Sequence, residues 1–215
     1  MAAALAQSGD SLAERHAAAA RWYEPAANDG DPEALCSLGV LYASGEGVQR
    51  DDAEAVRLFS LAADREHAEA TFNLAVMCQN GHGMRKPNPR KAVQLYKLVA
   101  AAGDPDAMCN LATMFEKGTG IRRDRGEAAR LYRLAAAEGQ VEAQANLGSM
   151  LARGVGAEQD LPEAVRLLGL ASAAGDPSAQ FNLAIMHENG TGVPKSPTEA
   201  ARLYQLAAAV DDDGY

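Results

Sequence analysis

Apolar residues recur along the chain in two helical patterns that alternate. In the first pattern, Ala34, Leu38 and Tyr42 stand four residues apart, which places them on one face of an α-helix. In the second pattern, an alanine is followed four residues later by an aromatic residue or a leucine, as at Ala55 and Phe59. A one-sided apolar stripe has to be buried against a neighbour. The chain is therefore predicted to be all-α and built from helix pairs.

The two patterns together form a tandem repeat of 36 residues, with one interval of 37. Five copies are marked by a leucine and by the first glycine of a GxG turn. The leucines are Leu38, Leu74, Leu111, Leu147 and Leu183, and the glycines are Gly45, Gly81, Gly118, Gly154 and Gly190. A pair of short helices cannot bury both of its faces alone, so each unit needs its neighbours. The repeat therefore predicts a helical solenoid.

Local signals mark both ends of each helix. The first helix (helix A) begins with Asp-Pro in three copies, at Asp31, Asp104 and Asp176, and the GxG glycine ends it. The second helix (helix B) begins with a capping residue followed three positions later by glutamate, which predicts two reciprocal side-chain-to-backbone bonds. These pairs are Asp51 with Glu54, Asp124 with Glu127, Asp160 with Glu163, and Ser196 with Glu199.

These marks divide the chain into a half-repeat, five full repeats and a short tail. A lone helix B is expected over about residues 11–28, and repeat 1 ends in Glu66 where the other copies have glycine. The predicted boundaries are 1–29, 30–66, 67–103, 104–139, 140–175, 176–211 and 212–215, all within one continuous solenoid domain.

Composition and charge narrow the classes of partner. The net charge of −9 disfavours nucleic acid and anionic lipid, and leaves basic or neutral proteins as the easier partners. No apolar run reaches the length of a membrane span, and the first ten residues do not resemble a secretory signal. Three cysteines outside any CxxC motif indicate a reducing compartment. We therefore expect a cytoplasmic protein.

Several positions recur together, as in GDPEALCSLGVLYASGEGV and GDPSAQFNLAIMHENGTGV. In this respect residues 11–211 resemble the Sel1-like repeat, a relative of the tetratricopeptide repeat. The resemblance implies a right-handed α/α superhelix and a non-enzymatic adaptor or scaffold role, in bacterial signalling or regulation for example. A self-associating structural protein is the alternative. A hydrolase acting on cell-wall or lactam substrates is a further alternative, by loose family association.

The face of helix A opposite the apolar stripe is the candidate binding surface, because helix A lines the concave side in related superhelices. One asparagine recurs there in each of four repeats. An amide both donates and accepts, so such a row could pair with the backbone of an extended peptide, or it could only fix the spacing of repeats. The candidate residues are Asn73, Val76, Asn80, Asn110, Thr113, Lys117, Asn146, Ser149, Arg153, Asn182, Ile185 and Asn189.

Catalytic and cofactor signals are weak throughout the sequence. The GxG turns lack the third glycine and the GK[ST] of phosphate loops, and no GxSxG, SxxK or HExxH occurs. Cys36 and Cys109 are interpreted as small buried side chains, and His187 as a packing residue. We therefore predict no catalytic residues, no metal site and no cofactor. Basic residues at Arg85, Lys86, Arg90, Arg122, Arg123 and Arg125 indicate either a basic ridge or merely a solvated loop edge.

Overall fold

The computed structural model describes residues 12–209, and within them all regular secondary structure is helical. Eleven helices lie in this part of the chain. They are α1 (Leu12–Asn28), α2 (Pro32–Ser44), α3 (Asp52–Ala63), α4 (Ala68–Asn80), α5 (Pro89–Ala101), α6 (Pro105–Lys117), α7 (Arg125–Ala137), α8 (Val141–Arg153), α9 (Leu161–Ala173), α10 (Pro177–Asn189) and α11 (Pro197–Ala209). The all-α prediction is confirmed, with α1 as the lone helix B and the even-numbered helices as helix A.

The helices pack in consecutive pairs, as the repeat predicts. Helix α2 packs against α3, α6 against α7, α8 against α9, and α10 against α11. Each helix B also contacts the helix A that follows it, as α3 does with α4, α7 with α8 and α9 with α10. Helices such as α3, α7 and α9 therefore bury a face on both neighbours, which supplies the core that a single pair lacks.

The chain divides into two compact units, one from Met1 to Val99 and one from Ala100 to Tyr215. The first unit holds α1–α4 and most of α5, and the second holds the end of α5 and α6–α11. The predicted boundaries of the individual repeats, and their union in one continuous domain, stay predictions. The predicted tail at 212–215 and the first residues of the half-repeat lie outside the described part of the chain.

Alanine and leucine fill the interior of both units. Ala34 and Leu38 of α2 are buried, as are the alanine and the large residue of α3, α5, α7 and α9. The largest fully buried rings are Phe59, Tyr96 and Tyr132. The small alanines let helix axes approach closely, and one large side chain per helix B then fills the remaining space.

The predicted caps of helix A are present. The side chain of Asp31 accepts a hydrogen bond from the Ala34 amide at 2.9 Å, and Asp104 accepts one from Ala107 at 2.7 Å. Each helix A then ends at a glycine in the left-handed conformation, as at Gly45 with φ 77°. Since these interactions are local, short sequence motifs were enough to predict them.

Repeat 1 departs from the others at its end, as the sequence indicates. Glu66 has φ 63° and is the only non-glycine residue with positive φ among the described residues. Its counterparts Gly103, Gly139 and Gly175 all adopt positive φ as well. The connection from helix B to the next helix A therefore requires this conformation whatever residue stands there, and a glutamate adopts it at an energetic cost.

The reciprocal caps predicted for helix B are only half right. The Asp51 side chain accepts hydrogen bonds from the amides of Ala53 and Glu54, but the Asp51 amide donates to the carbonyl of Tyr42 in helix A at 2.9 Å. Because that amide is already engaged, Glu54 turns away and binds Arg57 through two bonds of 2.8 and 2.6 Å. The same exchange occurs in the other copies, at Glu127 with Arg130, Glu163 with Arg166, and Glu199 with Arg202.

Candidate functional site

Three helices of the second unit present the candidate face at equivalent positions. Helices α6, α8 and α10 each contain 13 residues, and each runs from a side-chain cap to a left-handed glycine. Fixed ends bring the same helical positions to the same face in each repeat. Helices α8 and α10 also contact each other directly. The asparagines at 110, 146 and 182 therefore occupy the same place on three successive helices.

These three asparagines are half-buried, and their amides are not engaged by the protein. Within the described residues, Asn110, Asn146 and Asn182 form no side-chain hydrogen bond. They are also not among the deeply buried polar groups left without a partner, which in the described chain are Gln79 and Gln180. The amides therefore stay in contact with solvent and are free to bind a ligand.

Asn73 of the first unit behaves differently. Its side chain lies beside the thiol of Cys36 in the preceding repeat and lowers the pKa of that thiol. Burial, aided by the carboxylates of Glu69 and Glu33, raises the pKa of Cys36 to about 12, and Asn73 offsets part of the rise. Asn73 thus contacts the preceding repeat, whereas its three counterparts make no side-chain hydrogen bond within the described residues. Both interpretations of the asparagine row stay predictions.

The residue three positions after each of these asparagines lies on the same face, and in α6 it takes part in contacts within the protein. The Thr113 hydroxyl lies 2.8 Å from the hydroxyl of Tyr132, which donates to Glu116 at 3.1 Å. Burial raises the pKa of Tyr132 well above its usual range, so the phenol stays protonated and able to donate. Ser149 is half-buried, and Ile185 is 37% exposed. Thr113 therefore helps to hold α6 on α7, and Ile185 offers apolar surface.

The outer ends of the candidate face carry opposite charges in the second unit. Asp106 and Glu142 lie in the first turns of α6 and α8, and Lys117 and Arg153 lie in their last turns. This arrangement opposes each helix dipole and stabilises the helices by itself. Since a helix of 13 residues is about 20 Å long, a ligand lying across the asparagines would meet acid on one side and base on the other.

The other two candidate residues of the first unit, Val76 and Asn80, also lie on helix A. Val76 of α4 is half-buried, and Asn80 at its last turn is exposed. In the second unit the corresponding residue Asn189 is exposed at the end of α10. The predicted face is thus continuous with solvent at its helix ends in both units.

Helix A residues also contact the cap of the following repeat, a feature that the sequence did not reveal. His67 caps α4 by accepting from the Ala70 amide, and its Nε2 lies 3.1 Å from the carboxylate of Glu33. Gln140 caps α8 in the same way and donates to Asp106 at 3.3 Å. The only signal in the sequence was that these two caps are not aspartates. Each joins one helix A to the next.

The groups most suited to nucleophilic catalysis are buried and protonated. Burial raises the pKa of Cys109 to about 12, aided by the carboxylates of Glu142 and Asp106, and Cys36 has a similar value. All three cysteines are free thiols. No group of three or more metal-binding side chains forms among the described residues. None of the described helices combines the length and apolar character needed to cross a membrane.

The comparisons with known proteins agree with this architecture. The Sel1 repeat family model matches residues 7–31, 32–67, 68–104, 105–140, 141–176 and 177–212. Comparison with curated proteins gave no match.

Solved structures give the same fold. A protective antigen present in uropathogenic Escherichia coli strains, which displays an SLR fold, is 31% identical with a TM-score of 0.81. The match covers 90% of this chain and 41% of the antigen. A Sel1 repeat protein from Oxalobacter formigenes is 29% identical with a TM-score of 0.79, over 84% of this chain and 72% of that protein.

A third structure shares the fold at lower identity. The immunity protein Pa5087 from Pseudomonas aeruginosa is 20% identical with a TM-score of 0.57, over 99% of this chain and 80% of that protein. The repeat length, the helix pairs, the glycine turns and the six family matches all lead to the same assignment. The chain belongs to the Sel1 repeat family.

Proposed function

We propose that this chain is a non-catalytic adaptor that binds an extended segment of a partner protein on the helix A face of its second unit. The observation that carries the proposal is the set of three equivalent, half-buried amides, Asn110, Asn146 and Asn182, which make no side-chain hydrogen bond within residues 15–209. Sel1 repeats commonly mediate protein–protein interactions and are generally non-catalytic. The proposal assigns that role to particular side chains.

The spacing of the asparagines suits an extended backbone. Packed helices lie about 8–10 Å apart, and a strand rises about 3.3 Å per residue, so one amide would meet about every third residue of a ligand. Each amide can donate to a carbonyl and accept from an N–H of the ligand backbone. Recognition would then depend little on the ligand's side chains, apart from the contact that Ile185 offers.

The net charge and the cysteines indicate which partner segment and which compartment we propose. The net charge of −9 favours a basic or neutral partner segment, because like charges slow the approach of an acidic one. The absence of CxxC motifs and the buried free thiols suit the reducing cytoplasm. A role in signalling or regulation follows from adaptor function and is part of the same proposal.

The test is to replace two of the amides and measure peptide affinity. Random linear peptides displayed on phage would be selected on the wild-type chain, and the strongest binder would be synthesised with a fluorescent label. Asn110→Ala combined with Asn146→Ala should weaken this peptide by about tenfold or more, because two amide bonds at about 1 kcal/mol each are lost. Circular dichroism of the variant should be unchanged.

A matched control removes two exposed amides elsewhere, Gln94 of α5 and Gln205 of α11, both by replacement with alanine. This variant should bind the peptide as the wild type does. Equal affinity of the Asn110/Asn146 variant and the wild type would reject the proposed face, as would a selection that yields no peptide.

Self-association is a second candidate, supported by exposed leucines on helix B. Leu134, Leu170 and Leu206 occupy equivalent positions on α7, α9 and α11 and are 43%, 46% and 41% exposed. Apolar side chains repeated on one face favour contact with another surface. Light scattering of the samples used for peptide binding, over a range of concentrations, separates the two candidates because only self-association changes the mass.

A further inference from the structure

Three arginines crowd the turn that joins α6 to α7 in the second unit. Arg122, Arg123 and Arg125 are all exposed, and none forms an ion pair or a side-chain hydrogen bond within residues 15–209. A cluster of three unpaired guanidinium groups repels itself unless an anion binds.

The corresponding turn of repeat 1 shows what such an arginine binds. There Arg50 holds the carboxylate of Asp52 through two bonds, with Nε to Oδ1 at 2.8 Å and Nη2 to Oδ2 at 3.1 Å. Arg50 also lies against the turn glycine, since a Cβ on Gly45 would be 3.0 Å from its Cβ. The backbone of this turn thus presents an arginine whose Nε and Nη2 both donate to one carboxylate.

In the second unit the arginine is kept and its carboxylate is replaced by a cation. Arg123 occupies the place of Arg50, because a Cβ on Gly118 would lie 3.1 Å from the Cβ of Arg123. Two residues further on, where repeat 1 has Asp52, this turn has Arg125. The internal partner is therefore missing, and a second guanidinium stands beside the place that a carboxylate would take.

The acidic neighbours of this turn do not fill that place. The side chain of Asp124 accepts from the Glu127 amide at 3.0 Å as the cap of α7. The Glu127 carboxylate is bound by Arg130 through bonds of 2.8 and 2.7 Å. Both carboxylates are therefore committed to holding the start of α7. Three arginines against the one aspartate of the turn leave a local excess of two positive charges.

A neighbouring turn holds Arg125 in position. A Cβ on Gly156 would lie 2.3 Å from the carbonyl oxygen of Arg125, so the backbone of the α8–α9 turn packs directly against it. Since the main chain at Arg125 is fixed, binding an anion costs little further ordering of the backbone.

The arginines border an open depression that also exposes two apolar side chains. Its volume is about 620 Å³, and it is lined by Phe115, Ile121 and the residues 122–125. Phe115 and Ile121 are both half-buried. A ligand that presents a carboxylate to the arginines would therefore place a neighbouring side chain against an aromatic ring and an isoleucine, which favours an apolar residue next to the acidic one.

We infer that the α6–α7 turn binds an acidic peptide segment of a partner protein in which an aspartate or glutamate stands next to an apolar residue. The carboxylate takes the position on Arg123 that Asp52 takes on Arg50, with Arg125 and Arg122 as further donors. The overall charge of −9 slows the approach of such a segment, but the bound contact depends on the local excess of two positive charges, because exposed charges farther than about 8–10 Å away are screened at physiological salt. The site is separate from the asparagine face and does not depend on it.

The experiment uses a fluorescein-labelled peptide of aspartates around one phenylalanine, with fluorescence polarisation as the readout. The comparison peptide has asparagines in place of the aspartates. The full chain should bind the first peptide and not the second. Arg125→Asp restores the sequence arrangement of repeat 1, so that Arg123 has an internal carboxylate, and it should weaken binding by about tenfold or more.

The matched control is Lys195→Asp, which changes the net charge equally at the equivalent turn of repeat 5, where a Cβ on Gly190 would lie 3.2 Å from the Cβ of Lys195. It should bind within about twofold of the wild type, because it lies outside the arginine cluster. If Arg125→Asp does not fold, Arg122→Gln combined with Arg123→Gln replaces it and should show the same loss.

Three results would overturn the inference. The asparagine peptide could bind as well as the aspartate peptide, Lys195→Asp could weaken binding as much as Arg125→Asp, or a single-stranded oligonucleotide could bind the arginines more tightly than the acidic peptide. The Asn110/Asn146 variant should keep the acidic peptide at wild-type affinity, so failure of the asparagine face and failure of this site are distinguishable.

Discussion

Gly148 and Gly169 lie in α8 and α9, the two helices of repeat 4, and they offer a matched pair of glycine-to-alanine substitutions. A Cβ on Gly148 would lie 2.7 Å from Cγ of Leu168 and 3.3 Å from the carbonyl oxygen of Ala164. Leu168 is fully buried, so it has no space to move into. A Cβ on Gly169 would meet nothing within 4 Å. Both substitutions add the same methyl group to a helix interior.

The two variants share one energetic effect and differ in another. Alanine in place of glycine stabilises a helix interior by about 0.5–1 kcal/mol in both cases. Only Gly148→Ala also forces a methyl group into a packed contact, at a cost of about 1–3 kcal/mol. The helix contribution cancels in the comparison. Gly148→Ala should therefore be about 1–3 kcal/mol less stable than Gly169→Ala, and Gly169→Ala should be more stable than the wild type.

Urea unfolding followed by far-ultraviolet circular dichroism measures this difference. The midpoints of the two variants should move in opposite directions from the wild type, with the slope of the transition unchanged. Leu168→Ala should cost less stability in the Gly148→Ala background than in the wild type, because it removes the Cγ and Cδ2 atoms that the added methyl group meets. Equal stability of Gly148→Ala and Gly169→Ala would refute the argument, since it would mean that the α8–α9 contact absorbs a methyl group freely.

Two further predictions concern the cap at His67 and the buried thiols. His67→Ala should lower the free energy of unfolding by about 1 kcal/mol, because it removes both the bond from the Ala70 amide and the contact to Glu33. His67→Gln should retain most of this stability. Equal losses for the two variants in urea unfolding would contradict the claim that His67 makes both contacts. Burial raises the pKa of Cys36 and Cys109 from 9.0 to about 12, so folding favours the protonated thiol. The stability that this provides is present below pH 9 and is lost as the pH rises towards 12. The urea midpoint should therefore fall across that range, and fall less when both cysteines are alanine; parallel curves for the two proteins would count against it.

The asparagine face shows how far the sequence leads towards a site. The repeat places Asn110, Asn146 and Asn182 at equivalent helical positions, and the structure places them on one face of three successive helices. The sequence left open whether such an amide is engaged within the protein. In the described residues the two units differ, because Asn73 lies beside the thiol of the preceding repeat and its three counterparts have no such neighbour.

The sequence by itself determined the helix-pair architecture and most helix ends. These features depend on interactions between residues close in the chain, such as the cap of Asp31 on Ala34 and the left-handed glycine at Gly45, and these interactions recur in each copy. Repetition strengthens a weak local signal. For the same reason, the positive φ at Glu66 could be expected from its glycine counterparts.

Only the tertiary structure decided which partner each polar side chain takes. Glu54 binds Arg57 and not the cap amide, because the Asp51 amide is already bound to a carbonyl of the neighbouring helix. His67 reaches Glu33 across 34 residues, and Arg123 has no carboxylate where Arg50 has one. Such pairings depend on how adjacent helices and turns approach in space, and that approach is set by the packing of side chains far apart in sequence.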